Sequence, residues 1–180
     1  MRPFLRFLIV LTISLLLGVI IRVLVFTIYT VGGDGLEPMF KAGDHVMVNR
    51  WSYGLRTGSS RLFGYGRLCR QPMERGDIVA FEDPRDSTFT RMLFGKIKAL
   101  PGDTIRYGGH VLLLPSLQDC ADHDYYWIQS VGEKNQLDSR ILGPVADERI
   151  IGRAFLVVYN HDPSAAIWRG YLSGRWLLPL

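Results

Sequence analysis

Few side chains in this sequence are placed to do chemistry. Asp119-Cys120-Ala121-Asp122-His123-Asp124 gathers carboxylates, a thiol and an imidazole in one short stretch. These are metal-capable groups, but their spacing matches no zinc pattern and the other histidines are scattered. A solvated acidic loop is the plainer reading, and neither a metal nor another cofactor is expected. Lys96 and Lys98 lie in an alternating run, Gly95-Lys96-Ile97-Lys98. A buried, neutral lysine can act as a general base toward a serine. Successive residues of a strand face opposite sides, so Lys96 faces away from the side of Gly95. Arg91 shares that side, but a guanidinium stays protonated and cannot serve as a base. Ser59 and Ser60 sit in a Gly-rich loop, where hydroxyls are ordinarily solvated. From Arg50 to Arg75, arginines 50, 56, 61, 67, 70 and 75 interleave with Trp51, Tyr53, Phe63 and Tyr65, and Glu74 is the only acid. Such a stretch suits anionic lipid headgroups better than nucleic acid if the domain is tethered to a membrane. A solvated hairpin is an equally good reading.

The elements that must position these groups follow from composition and patterning. The chain has 180 residues, 48% of them apolar and 21% charged. That excludes a disordered or fibrous chain and suits one compact domain. Two cysteines, Cys69 and Cys120, exclude a disulfide-dense scaffold. The net charge is +4, and Arg2, Arg6 and Arg22 account for most of it. Phe7 to Ile21 carries no charge, and after Arg22 the apolar run resumes from Val23 to Val31. The whole is long enough to cross a bilayer, with Arg22 near the exit. A cleaved secretory signal is the alternative, but the exit lacks small-x-small residues. The expected organisation is therefore a cytoplasmic tip and uncleaved anchor at 1–31, followed by an extracytoplasmic domain at 32–180. Beyond Gly32, β-rich runs alternate with turn residues: His45–Asn49, Asp77–Phe81, Thr90–Ala99, Thr104–Tyr107, Val111–Leu114, Tyr125–Val131 and Ile150–Tyr159. The pattern predicts an all-β, antiparallel domain. Asp44, Asp77 and Asp103, each after a glycine, are expected to bond local backbone N–H groups in turns. The tail from Ala165, with Trp168, Tyr171 and Trp176, is expected either to pack on the sheet or to lie on the membrane surface.

Five blocks then fall in order after the apolar run. They are Gly33-Asp34-Gly35-Leu36-Glu37-Pro38-Met39, Gly43-Asp44-His45-Val46-Met47-Val48-Asn49 through Gly54, Arg75-Gly76-Asp77-Ile78-Val79-Ala80-Phe81, Ala99-Leu100-Pro101-Gly102-Asp103, and Asp138-Ser139-Arg140 with Gly143. Together they resemble the bacterial type I signal peptidases from Arg22 to about Tyr159. The resemblance implies an antiparallel β-sheet domain behind one N-terminal transmembrane helix, single-pass in the cytoplasmic membrane with the N-terminus inside. It also implies a Ser nucleophile in a Ser-Met-x-Pro pattern, a Lys base in Lys-Arg-x-x-Gly-Leu-Pro-Gly-Asp, and a Ser two residues before the nucleophile that assists the oxyanion. Here those positions read Gly35, Gly95 and Gly33. A serine that would hydrogen-bond the lysine is replaced by Gln136. Glu37, Pro38, Asp138 and Arg140 keep the family pattern, and Leu36, Met39 and Phe94 are the expected substrate-groove residues. Glycine supplies neither a hydroxyl nor a titratable group. The expectation is thus a catalytically inactive relative that binds secreted or surface polypeptide segments at the lipid bilayer, alone or beside an active signal peptidase. Two other readings stay open: an active serine endopeptidase with relocated groups, and a membrane-surface binding module. No nucleic-acid partner is expected.

Overall fold

The computed structural model describes all residues except 1–2, 34, 58–64, 87–89, 120–121, 133–136, 163 and 167, and the side chains of 23–24. Ser59, Ser60, Arg61, Phe63, Cys120 and Gln136 therefore lie outside the described residues, as does Arg2.

Helix α1 runs from Pro3 to Leu24. Its 22 residues hold no acid, and its side chains are exposed from Pro3 to Arg22. At about 1.5 Å per residue it reaches roughly 33 Å, the thickness of a bilayer's hydrocarbon core. Arg22 lies in its last turn, beside the helix carbonyls that favour a cation. The apolar run does not all belong to the helix. Phe26–Thr30 forms strand β1, paired antiparallel with β2, Asp44–Asn49. Thr27, Ile28, Tyr29 and Thr30 are β-formers, and the ladder satisfies their peptide groups. The helix recovers the lost length at its other end, by starting at Pro3.

The remaining strands are β3 (Leu55–Thr57), β4 (Gly66–Leu68), β5 (Ile78–Glu82), β6 (Met92–Ala99), β7 (Thr104–Tyr107), β8 (His110–Leu113), β9 (Tyr125–Ser130), β10 (Val145–Ala146), β11 (Ile150–Asn160) and β12 (Leu178–Pro179). The main sheet has the order β1-β2-β11-β5-β6-β9-β10, with β12 added on β11. β3–β4 and β7–β8 are separate hairpins. A short helix, α2 (Ser139–Leu142), follows β9. The fold is thus mostly β, a curled antiparallel sheet behind one apolar helix.

Two apolar clusters cover the two faces of the sheet. One joins Leu36, Phe40, Val46, Val48 and Phe94; the other joins Val79, Phe81, Ile97, Ile128 and Ile150. β5 contributes to both, and all five of its residues are buried. Asp44, Asp77 and Asp103 close turns as their spacing requires. Their carboxylates accept from the N–H of Lys41, Glu74 and Leu100, three residues back. The tail packs on the sheet: Arg175 pairs with the fully buried Asp44, donating from Nε at 2.9 Å, and its Nη2 reaches the Met39 carbonyl at 2.8 Å.

Candidate functional site

A cleft of about 340 Å³ opens between the segment leaving β1 and the first half of β6. Thr30, Val31, Gly32, Gly35 and Leu36 form one wall; Arg91 to Phe94 form the other, and Leu137 closes an end. The Phe94 ring, nearly fully buried, packs on Phe40 at 5.3 Å and edge-on to Tyr29 at 6.5 Å. The expected groove residues Leu36 and Phe94 therefore meet here. Met39 does not line the cleft and packs against the apolar cluster beneath it. Glu37 and Pro38 are joined by a cis peptide bond in the turn that carries Leu36.

The wall formed by β6 is half open. β6 pairs with β5 from Met92, but its ladder to β9 begins only at Gly95, opposite Ser130. The Asp83 N–H donates to the Arg91 carbonyl. Antiparallel alternation then turns the peptide groups of Met92 and Phe94 away from β5, toward the cleft.

Gly35 lies in the wall opposite β6, but Gly95 faces away from the cleft. A Cβ built on Gly95 would come closer than 3.0 Å to Ile128 Cγ2, within 2.9 Å of the Gln129 carbonyl oxygen and 3.4 Å from Phe81. It would enter the second apolar cluster. Gly33 is exposed, has φ +82°, and has nothing within 4 Å of where a Cβ would be. Lys96 is exposed, and its Cε lies near Gly76, in the turn before β5. Among the described residues, no Ser, Cys, Lys or His lines the cleft; Tyr29 and Thr30 are its only hydroxyls. Burial, chiefly, raises the Tyr29 phenol above its ordinary value.

Asp138 and Arg140 form the support beside the cleft. The Asp138 side chain is buried and accepts from the N–H of Ser130 at 3.0 Å and of Arg140 at 2.9 Å, and from Arg140 Nε at 2.9 Å. It thus caps α2 and ties it to the end of β9. Burial alone would raise its carboxyl. The hydrogen bonds from Arg140, Ser130 and the cap outweigh it and hold the group below the ordinary carboxylate value.

Gly132 is a residue that sequence reasoning missed. A Cβ there would lie closer than 3.0 Å to the Gly35 carbonyl oxygen and to Leu36 Cα. The loop after β9 can approach the Gly35 segment only because residue 132 has no side chain. Its place in Gly132-Glu133-Lys134 gave no local sign of that approach.

The other candidates are engaged in the fold. Arg56 donates to Glu82 and the Glu148 carbonyl, Arg67 to the Asp147 and Ile150 carbonyls, Arg70 to Asp124 and Asp147, and Arg75 to Asp103. Asp124 of the acidic loop is held by Arg70 and by the Leu117 N–H. No group of three His, Cys, Asp or Glu side chains among the described residues is arranged to hold a metal. Cys69 is an exposed free thiol.

Residues 4–114 match the family described as signal peptidase, peptidase S26. The chain belongs to this family. It is 31% identical over 102 residues to signal peptidase I of Rickettsia typhi, a match covering 53% of this chain and 37% of that protein. It is 24% identical over 170 residues to signal peptidase I V of Bacillus subtilis, covering 78% and 90%. A third relative, signal peptidase I of Bacillus caldolyticus, is 26% identical over 133 residues, covering 74% and 60%. The chain thus spans little more than a third of the Rickettsia relative and most of the Bacillus subtilis one. The signal-peptidase-like character and the β fold rest on these matches together with the sheet.

Proposed function

We propose that this S26-family protein holds an extended segment of a secreted polypeptide in the Gly35–Phe94 cleft without cutting it. One observation carries the reading. Gly35 and Gly95 stand at the positions that the family pattern gives to nucleophile and base, and the described cleft wall offers no serine or amine in their place. The same cleft suits binding. An incoming strand can hydrogen-bond to Met92 and Phe94, whose peptide groups point into it, while its alternate side chains meet Leu36, Phe94 and Leu137.

Relocated catalysis finds no serine or amine at the cleft among the described residues, and Lys96 sits at the Gly76 turn. The membrane-surface reading of the arginine stretch is weakened by the internal partners of Arg56, Arg67, Arg70 and Arg75. In the proposed arrangement α1 anchors the chain in the inner membrane. Arg6 stays on the cytoplasmic side, and the sheet faces outward to meet secreted chains or an active peptidase.

The test is full-length protein in lipid nanodiscs with a fluorescent signal peptide that has a small-x-small site. Saturable binding, with the peptide intact by mass spectrometry, is expected. Turnover of the peptide by the purified chain overturns the reading.

A further inference from the structure

The sheet face that carries Phe94 continues past the cleft. Across the ladder to β5, Phe94 lies opposite Ala80 and Lys96 opposite Ile78. Directly opposed residues share a face, and Ile78, Ala80 and Phe94 belong to one apolar cluster. Lys96 therefore stands on the cleft side of the sheet, two residues beyond Phe94 and outside the cleft itself. Lys98 follows it. Both lysines are exposed, whereas Ile97 and Ala99 are buried. Across the ladder to β9, Gln129 opposes Lys96, and the register shift between Ile97 and Ala99 sets Lys98 and Ala99 against Trp127. Tyr107 of the β7–β8 hairpin lies 5.7 Å from Trp127 between ring centroids and ends the face with an aromatic wall. Neither lysine ammonium has an ion-pair partner among the described residues. The carboxylates of Asp103 and Asp138 are held by Arg75 and Arg140. Glu74, exposed in the turn before β5, pairs with neither lysine.

We propose that Lys96 and Lys98 extend the polypeptide-binding surface and select segments that carry acidic side chains just beyond the stretch held in the cleft. The inference rests on the cleft reading given above and names the charge of the segment that the cleft takes. Two arguments carry it. The first is continuity: β9 takes up the edge of β6 from Gly95 onward, so a chain leaving the cleft at that end passes out across the lysine face. The second is charge and repeat. Two ammonium groups stand without carboxylates, and residues two apart on a strand are roughly 6–7 Å apart, the repeat of alternate side chains on an extended chain lying along them. Gln129 and the Trp127 ring offer that chain a hydrogen-bonding amide and an apolar surface between the charges.

The experiment is fluorescence anisotropy with the full chain in phosphatidylcholine nanodiscs and peptides that share one small-x-small core. The core is used bare, or with short extensions at both ends that hold Glu in one peptide and Gln in the other. The Glu peptide is expected to bind about tenfold more tightly than the Gln peptide at low salt, and about 0.5 M salt should remove the difference. Lys96→Gln and Lys98→Gln should each lower the Glu-to-Gln preference about threefold, as for an exposed ion pair. Arg6→Gln, which removes the same charge at the far end of α1, should leave it unchanged. With Lys96→Glu and Lys98→Glu together, a Lys-extended peptide should become the preferred one. Equal affinity for the Glu and Gln peptides, or an equal loss of preference in Arg6→Gln, overturns the lysine face. So does lysine-dependent capture of phosphatidylglycerol vesicles without a preference for the Glu peptide, which would mark a lipid contact. The bare core separates the two readings. If it fails to bind, the cleft and the lysine face fall together, whereas a bare core that binds while Glu extensions add nothing overturns the lysine face alone.

Discussion

Adding a single methyl group at Gly95 tests whether that glycine is required by packing. The new Cβ would press on Ile128 Cγ2 and lie 2.9 Å from the Gln129 carbonyl oxygen and 3.4 Å from the Phe81 ring. Ile128 and Phe81 are fully buried, and β6 is held between β5 and β9 at this point. The backbone therefore has little room to retreat. Overpacking of this kind costs about 1–3 kcal/mol. Reduced freedom of the unfolded chain returns about 0.4–1 kcal/mol. Gly95→Ala should therefore lose about 1–2 kcal/mol, a fall in Tm of roughly 2–8 °C for a chain of this size. Near-UV circular dichroism of the full chain in detergent micelles would follow the transition. Ile128→Ala removes one of the colliding atoms, so adding Gly95→Ala to it should cost about 1 kcal/mol less than in the wild type. Gly95→Lys directs an amine into the same cluster and should be worse than Gly95→Ala. Paired with Gly35→Ser it should restore no peptidase activity. A Gly95→Ala protein that melts at or above the wild-type temperature would refute the reasoning. So would a folded Gly95→Lys protein whose amine reaches the Gly35 segment.

Three further outcomes are expected. Gly132→Ala pushes a methyl into the backbone of Gly35 and Leu36. It should weaken peptide binding at least tenfold in the nanodisc assay, and an unchanged affinity would show that the cleft does not depend on this approach. Asp138→Asn should cost about 1–2 kcal/mol at neutral pH through the weakened cap and ion pair. The Asp138 carboxyl is held below its ordinary 3.8 in the folded state. Its contribution is therefore complete above pH 3.8 and is lost as pH falls through the lower folded value. Wild-type and variant stabilities should run parallel from pH 7 to 5 and converge only below 3.8; convergence already at pH 5 would contradict the hydrogen-bond account. Arg175→Met leaves the buried Asp44 carboxylate, among the described residues, with Asn160 and the Lys41 N–H. Urea unfolding should register a loss of about 3 kcal/mol, as for other buried ion pairs broken on one side.

What could be read from the sequence divides along a physical line. The central strands announced themselves because each has its own alternation or apolar run, and the aspartate turns because the bonds they make span three residues. Features built by distant segments left no local trace. Arg175 reaches Asp44 across most of the chain, and Arg67 and Arg70 each reach partners beyond residue 120. β1 was hidden for a different reason: an apolar strand directly after an apolar helix keeps the composition of the helix. Gly95 is the instructive case. Strand parity set Lys96 on the side away from Gly95, but parity cannot say which face is cleft and which is core when both faces of the sheet are covered. The structure puts Phe94 at the cleft and Gly95 under Ile128. A missing lysine read from the alignment is a missing functional group, and one substitution would supply it. Under Ile128 and Phe81 the same glycine is a packing requirement, so a reversion must also rebuild the core around it. On the proposed function, a single change at the Gly95 position therefore leaves binding without cleavage in place.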